Sequence, residues 1–309
     1  MAGLTPMTID FRRRSALGIL AALGLGISAC GPGAFGAAPS GGAVKVVATT
    51  TVFADIVRNI GGDRVTVVSI IPAGAGPEDY EPKPDAARKL AGADLIVSNG
   101  VGLDDFLDDL IAAADEGAAS RLVLGDGIDE ITINGEGNPH FWLDPSLVVD
   151  RYLPAITARL SELDPADKAT FEANRATYAA AITAMDDANK AAIATIPAAD
   201  RKLVTAHDAF PYFARHYGFE LIGVLLANVG QEPTASELAD LVETVKRAGV
   251  KAVFSEAQFS PKLTETLAAE AGVTQVVTTL YNDTVGPPPA DTYLGMMEWN
   301  VAQIVQALR

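Results

Sequence analysis

Cysteine is almost absent from this chain: Cys30 is the only one in 309 residues. No intramolecular disulfide is therefore possible, and stability must come from a packed core. Histidine is nearly as scarce, with only His140, His207 and His216. Basic residues are outnumbered 23 to 39, for a formal charge of −16, and the one Lys/Arg run is Arg12-Arg13-Arg14. The clustered cations that grip phosphate backbones are missing from the body, which excludes nucleic acid as a partner. Disorder is excluded as well, because hydrophobic residues make up 49% of the chain and mean hydropathy is +0.22, enough to bury a core despite the charge. There is no internal repeat, no HExxH, no phosphate-cradling glycine loop, and no Ser/His/Asp or Cys/His arrangement with triad-like support. Small molecules, metal ions or another protein remain as partners.

The first residues read as an export signal rather than as part of the fold. The three arginines form a positive n-region, and the apolar stretch from Ser15 to Gly26 is too short for the roughly 20 residues a spanning helix needs. It ends Ile27-Ser28-Ala29-Cys30, which resembles a bacterial lipobox in which Cys30 is lipidated and becomes the mature N-terminus. Residues 1–29 are then the signal peptide, exported by the general or the twin-arginine route. Residues 30–43 are the lipidated cysteine and a flexible Gly/Ala/Pro/Ser linker, and the mature protein is tethered outside the cytoplasmic membrane.

From Val44 onward β-branched runs alternate with amphipathic stretches, the pattern of an α/β protein with largely parallel sheets. Strands are expected at Val44 to Ala48, Val65 to Ile71, Leu95 to Ser98 and Leu122 to Leu124, with helices between them. Asp144-Pro145 and Asp164-Pro165 each place a carboxylate at an N-cap and a proline at the first helical position. Ala166 to Ile196 contains no Gly or Pro and predicts a helix of about 45 Å at 1.5 Å per residue, long enough to connect two lobes. The alternation resumes with strands at Leu203 to Ala206, Glu220 to Leu226, Lys251 to Ser255 and Gln275 to Thr279, a capping box at Thr234 to Glu237, and a final helix from Asp291 or Thr292. The expected organisation is an N-terminal lobe over 44–164, a connecting helix over 165–197 and a C-terminal lobe over 198–309.

Two of the histidines fall where a βαβ fold places function, at the carboxyl end of a strand or just before a helix. His140 lies in NPHFWLDP and His207 follows the strand Leu203 to Ala206. His216, mid-helix in Ala214-Arg215-His216-Tyr217, reads as a solvated or boundary residue. Two acidic segments occupy comparable connections: GAGPEDYEP over 74–82 and LYNDT over 280–284. Each alone reads as a solvated turn. Phe141 and Trp142 read as core, and Asp144 as a helix cap.

Taken together, a lipobox, PEDYEP, NPHFWLDP, TAHDAFPYFARHYGFE, FSEAQFSPK and YND followed by DTYLGMMEWNV resemble the metal-binding lipoproteins of zinc and manganese ABC importers, the cluster A-I substrate-binding proteins. The resemblance runs from about residue 44 to the end. It implies two (βα) lobes joined by a long rigid helix, one divalent metal ion held in the cleft between them, an ABC permease as partner, and a monomer. Carried over by position, the implied ligands are Glu78, His140, His207 and Asp283. The departure is at Glu78, where the family's PHDYEP has histidine; Asp79 or a water is the alternative donor there. Glu256, at the end of its strand, is expected to face the same cleft and orient a ligand histidine.

Two imidazoles with two carboxylates form a mixed N and O set, harder than the His-rich sites that suit zinc. The loop from Gly127 to Asn138 also lacks the His-rich acidic insertion of many zinc-specific members. Manganese is the first expectation, zinc the second and ferrous iron the third. No enzymatic role is expected; the competing readings are a metal-dependent hydrolase and a surface adhesin on the same tether. A catalytic metal keeps a coordination position open for water, whereas four protein donors would close this one.

Overall fold

The computed structural model describes residues 42–309, apart from residues 79, 114–118, 134 and 228. The expected signal peptide, Cys30, most of the expected linker and Asp79 lie outside the described residues.

The first β-branched run forms β1 (Val44–Ala48). It leads into α1 (Thr51–Gly61), whose N-cap Thr50 accepts a hydrogen bond from the Phe53 N–H and whose buried face carries Val52, Phe53, Ile56, Val57 and Ile60. There follow β2 (Val65–Ser69), α2 (Pro84–Ala91), β3 (Leu95–Ser98), α3 (Phe106–Ala113) and β4 (Ser120–Val123). The four strands make one parallel sheet in the order β2-β1-β3-β4, with Val44 opposite Val65, Val46 opposite Leu95 and Leu95 opposite Ser120. All four carboxyl ends therefore open on the same edge, which is where crossover folds carry their sites. β5 (Thr132–Ile133) and β6 (Glu136–Gly137) form a separate two-stranded antiparallel sheet.

The chain then crosses over through helices. Asp144 caps α4 (Pro145–Leu147) through the Ser146 N–H, a π turn spans Val148–Tyr152, and α5 (Leu153–Leu163) follows. The second Asp-Pro behaves differently. Asp164 makes no side-chain cap; Pro165–Asp167 forms a 3₁₀ turn, and Asp167 turns toward Arg64 instead, at 3.5 Å.

The long helix is α6 (Lys168–Ile193), about 39 Å at 1.5 Å per residue and shorter than its uninterrupted composition suggests. Phe171, Tyr178, Ile182, Met185, Asn189 and Ile193 are buried, a stripe at helical period, and they pack the helix against α1 and α5. The long helix is thus part of the core along its length rather than a free strut.

The C-terminal half comprises β7 (Lys202–Thr205), α7 (Pro211–Tyr217), β8 (Glu220–Val224), α8 (Ala235–Ala248), β9 (Ala252–Glu256), α9 (Pro261–Ala271), β10 (Gln275–Leu280) and α10 (Tyr293–Leu308). β7 pairs with β8 and β9 with β10, both in parallel, and β7 runs beside β9. The Thr234/Glu237 capping box is complete, and α8 stops at Gly249, whose left-handed φ of 62° a side chain would strain. The last helix, α10, returns to pack on α1 and α6. One hydrophobic core consequently runs through both halves, from Phe53, Trp142 and Tyr152 to Phe213, Tyr293 and Met297.

Candidate metal centre

Each site residue stands on a loop or turn just beyond a regular element. Glu78 lies on the connection after β2, His140 at the mouth of the Phe141–Leu143 3₁₀ turn, His207 two residues past β7, and Asp283 three residues past β10. They come from both halves of the chain and converge: one ligand atom from each of Glu78, His140, His207 and Asp283 lies within 4.8 Å of the other three. His140 Nε2 is 3.3 Å from Glu78 Oε1 and 3.4 Å from Asp283 Oδ1. His207 Nε2 is 3.3 Å from Glu78 Oε1 and 3.6 Å from Asp283 Oδ2, and the two Nε2 atoms are 3.4 Å apart. Four donors around an ion at about 2.0–2.1 Å would stand about 3.3–3.4 Å from one another, close to the spacings that the two histidine nitrogens make with each other and with the carboxylates.

The histidines are held from behind. Asn138 Oδ1 sits 3.1 Å from both the backbone N and Nδ1 of His140, which directs Nε2 into the cleft. Asn138 also donates to the Asp208 carbonyl at 2.6 Å and accepts at its own carbonyl from Tyr212 Oη, so one amide ties His140 to the segment carrying His207. Behind His207, Glu256 is fully buried and Oε1 lies 3.2 Å from Nδ1. Asp283 is fixed from both sides of the cleft. The carbonyl of its neighbour Asn282 accepts from Trp142 Nε1 at 2.7 Å, and Thr284 Oγ1 lies 3.1 Å from Thr51 Oγ1 and accepts from the Gly74 N–H.

Electrostatically the cluster is out of balance. Burial alone would push both imidazoles below their ordinary range, yet the hydrogen bonds and charges of Asp283 and Glu78 raise His140, and the charges of Glu256 and Glu78 raise His207 much further. Glu78 shows the reciprocal effect: burial favours its neutral form, but the two histidines hold its carboxyl far below the usual carboxylate range. Three carboxylates still face two imidazoles. Among the described residues Asp283 Oδ1 and Glu256 Oε2 are buried without a hydrogen-bond partner, and unpaired buried polar atoms are expensive. Among the described residues no Lys or Arg pairs with these carboxylates. A divalent cation would satisfy Asp283 Oδ1 and balance the charge. The centre communicates with a cleft of about 580 Å³ lined by Glu78, Leu103, Glu136, Asn138, His207 and Asp208.

The profile of the family described as zinc-uptake complex component A, periplasmic (ZnuA), matches residues 46–307. The chain belongs to this family. Among ZnuA relatives, the manganese ABC transporter substrate-binding lipoprotein PsaA of Streptococcus pneumoniae is 29% identical over 95% of this chain and 98% of its own length. The iron ABC transporter substrate-binding lipoprotein MtsA of Streptococcus pyogenes is 30% identical over 86% and 89%. The solved periplasmic zinc-binding protein TroA of Treponema pallidum superposes with a TM-score of 0.78 at 28% identity, covering 86% of this chain and 99% of its own. Three relatives at nearly equal identity carry three different metals in their names, so overall similarity does not choose among them. The family is described by metal uptake, and PsaA and MtsA are named as transporter substrate-binding lipoproteins, not as enzymes, which removes the hydrolase alternative.

Sequence reasoning missed the amides. Asn138 and Gln258 support site residues, Asn282 Nδ2 lies 3.2 Å from His207 Nε2, and none stood out by periodicity or charge. Asn138 had one available signal, its place two residues before His140 in an NPH turn. His216, read as a solvated or boundary residue, lies at the boundary: its side chain is 10% exposed and held between Asp144 and Asp186.

Proposed function

We propose that this protein captures one divalent transition metal outside the cytoplasmic membrane and delivers it to an ABC permease, and that Glu78, His140, His207 and Asp283 are the ligands. The observation that carries the reading is an anion-rich cluster, buried at His140, His207 and Asp283, in which the Asp283 and Glu78 carboxylates face two imidazole nitrogens and Asp283 Oδ1 has no hydrogen-bond partner. Manganese is the preferred cargo, with zinc and ferrous iron as competitors, because half the donors are hard carboxylates. Cys30 carries the lipid, residues 30–43 form the tether, and the mature protein acts as a monomer with lobes over 44–164 and 198–309 bridged by 165–197. Among the described residues no helix is long and apolar enough to cross a membrane, in keeping with attachment through a lipid. Binding requires neutral imidazoles and ionised carboxylates, so metal uptake releases protons and weakens on acidification.

The test is metal content and competition. Protein purified without chelator is assayed for bound metal, stripped, and titrated with Mn(II) and Zn(II), for wild type and Glu78→His. Stoichiometric binding, shifted toward zinc by Glu78→His, is the expected outcome. Absence of one-to-one binding by either ion would refute the reading.

A further inference from the structure

Gln258 lies outside the four-residue set, on the turn between β9 and α9, yet Nε2 donates to Asp283 Oδ2 at 2.6 Å. The orientation of the amide follows from chemistry: an ionised carboxylate offers only acceptors, so the nitrogen end must face it. The other end, Oε1, is buried and unpartnered, so the side chain gives up one hydrogen bond to make this contact. Space for it is reserved across the cleft. Gly76 is buried, and a Cβ there would come within 3.2 Å of Gln258 Nε2 and 3.5 Å of Glu78 Oε2. The amide is thus pressed between the backbone of the PEDYEP loop and the aspartate.

Both Asp283 oxygens face the centre, Oδ1 toward His140 and Oδ2 toward His207, and only Oδ2 carries the amide. Resting on the ligand set proposed above, we infer that Gln258 is a specificity-determining residue: by drawing on Oδ2 it weakens that oxygen as a second donor and favours coordination by Asp283 through Oδ1 alone. A hydrogen bond drawn onto one carboxylate oxygen lowers the electron density that oxygen offers to a cation. Zinc is content with four donors in a tetrahedron, whereas manganese gains from additional oxygen ligands. Gln258 therefore narrows the advantage that the carboxylates give manganese.

The test uses Gln258→Met, which keeps the length and removes the N–H, and Gln258→Leu as a second apolar replacement. For each purified protein, Mn(II) and Zn(II) affinities are measured by competition, and the coordination number of bound Mn(II) by X-ray absorption. The expected result is a shift of the Mn/Zn affinity ratio toward manganese of about tenfold, with an added oxygen ligand on manganese. The metal-free melting temperature of at least one variant should stay close to wild type. Equal weakening of both metals with unchanged coordination would reduce Gln258 to a structural support and overturn the inference. If wild type itself binds neither metal, the ligand assignment fails first, an outcome distinct from an unchanged ratio.

Discussion

The molecule contains two clusters of histidine with carboxylates, and they are built to opposite rules. In the first, His216 on α7 is clamped between Asp144 at the start of α4, 2.9 Å from Nδ1, and Asp186 on α6, 2.8 Å from Nε2. Every charge there has an answer. Ser146 donates to Asp144, Lys190 pairs with Asp186 at 2.7 Å, and Arg215 approaches Asp144 at 3.7 Å. Although burial opposes it, the two carboxylates raise His216 to about 9, and His216 with Lys190 draws Asp186 down to about 2. In the second cluster, His140 and His207 face Glu78, Asp283 and Glu256 with no Lys or Arg beside them among the described residues, and with Asp283 Oδ1 and Glu256 Oε2 buried and unpartnered. A saturated cluster is structure; an unsaturated one of similar residue types has the balance that a bound cation would complete. Composition cannot separate the two, whereas hydrogen-bond saturation can.

The sharpest way to break the comparison is to remove a carboxylate from each side. Asp283→Asn should weaken metal binding by more than the 10–100-fold typical of residues outside the coordination shell, as should His140→Ala and His207→Ala. The metal-free Asp283→Asn protein should melt no lower than wild type, because one uncompensated charge is gone. Calorimetric melting with and without Mn(II) reads both effects. Glu256→Gln keeps the ligands and alters only the group behind His207 Nδ1, so its loss of affinity should fall within about 10–100-fold.

His216→Ala should reverse the pattern. It removes the cation shared by Asp144 and Asp186, leaving only the half-exposed Lys190 and Arg215 beside them, and should destabilise the protein by about 2 kcal/mol, below the range for fully buried pairs because the site is partly open. Stoichiometric metal binding should persist. The effect should also depend on pH with a definite sign. The folded-state pKa of His216 is raised from 6.5 to about 9, so its contribution is complete below 6.5 and is lost as pH rises toward 9. Asp186 is lowered from 3.8 to about 2, so its contribution is complete above 3.8 and is lost as pH falls toward 2. The stability gap between wild type and His216→Ala should therefore be widest between about pH 4 and 6.5 and shrink on either side. Metal affinity behaves differently, falling steadily as pH drops, since protons compete at both raised histidines. Arg215→Ala is the smallest expected effect, within about 0.5 kcal/mol, because its pairing with Asp144 is exposed and long.

Much of this architecture was legible in the residues. β1 and β3 fall where their β-branched runs begin and end, and the Thr234 capping box, Asp144 cap and Gly249 stop are local devices that local sequence states outright. The four converging residues were legible only by resemblance, because Glu78, His140, His207 and Asp283 are scattered across more than 200 positions and no short motif joins them. The rest depended on distant partners. Asp164 gave up its capping role where the chain turned into a 3₁₀ turn, and Asp167 found Arg64. Asp186 lies 30 residues from His216 and Asp144 lies 72 away, so nothing near Ala214-Arg215-His216 announces the clamp. Gln258 is an unremarkable amide until the loop after β10 brings Asp283 onto it.

The most direct test of the central claim is an anomalous-scattering map from crystals of the protein grown with Mn(II). The account predicts one strong peak bonded to Nε2 of His140 and His207 and to oxygens of Asp283 and Glu78, and none between His216 and its two aspartates. A peak in the His216 cluster, or density at the first site lacking either histidine as a ligand, would contradict it.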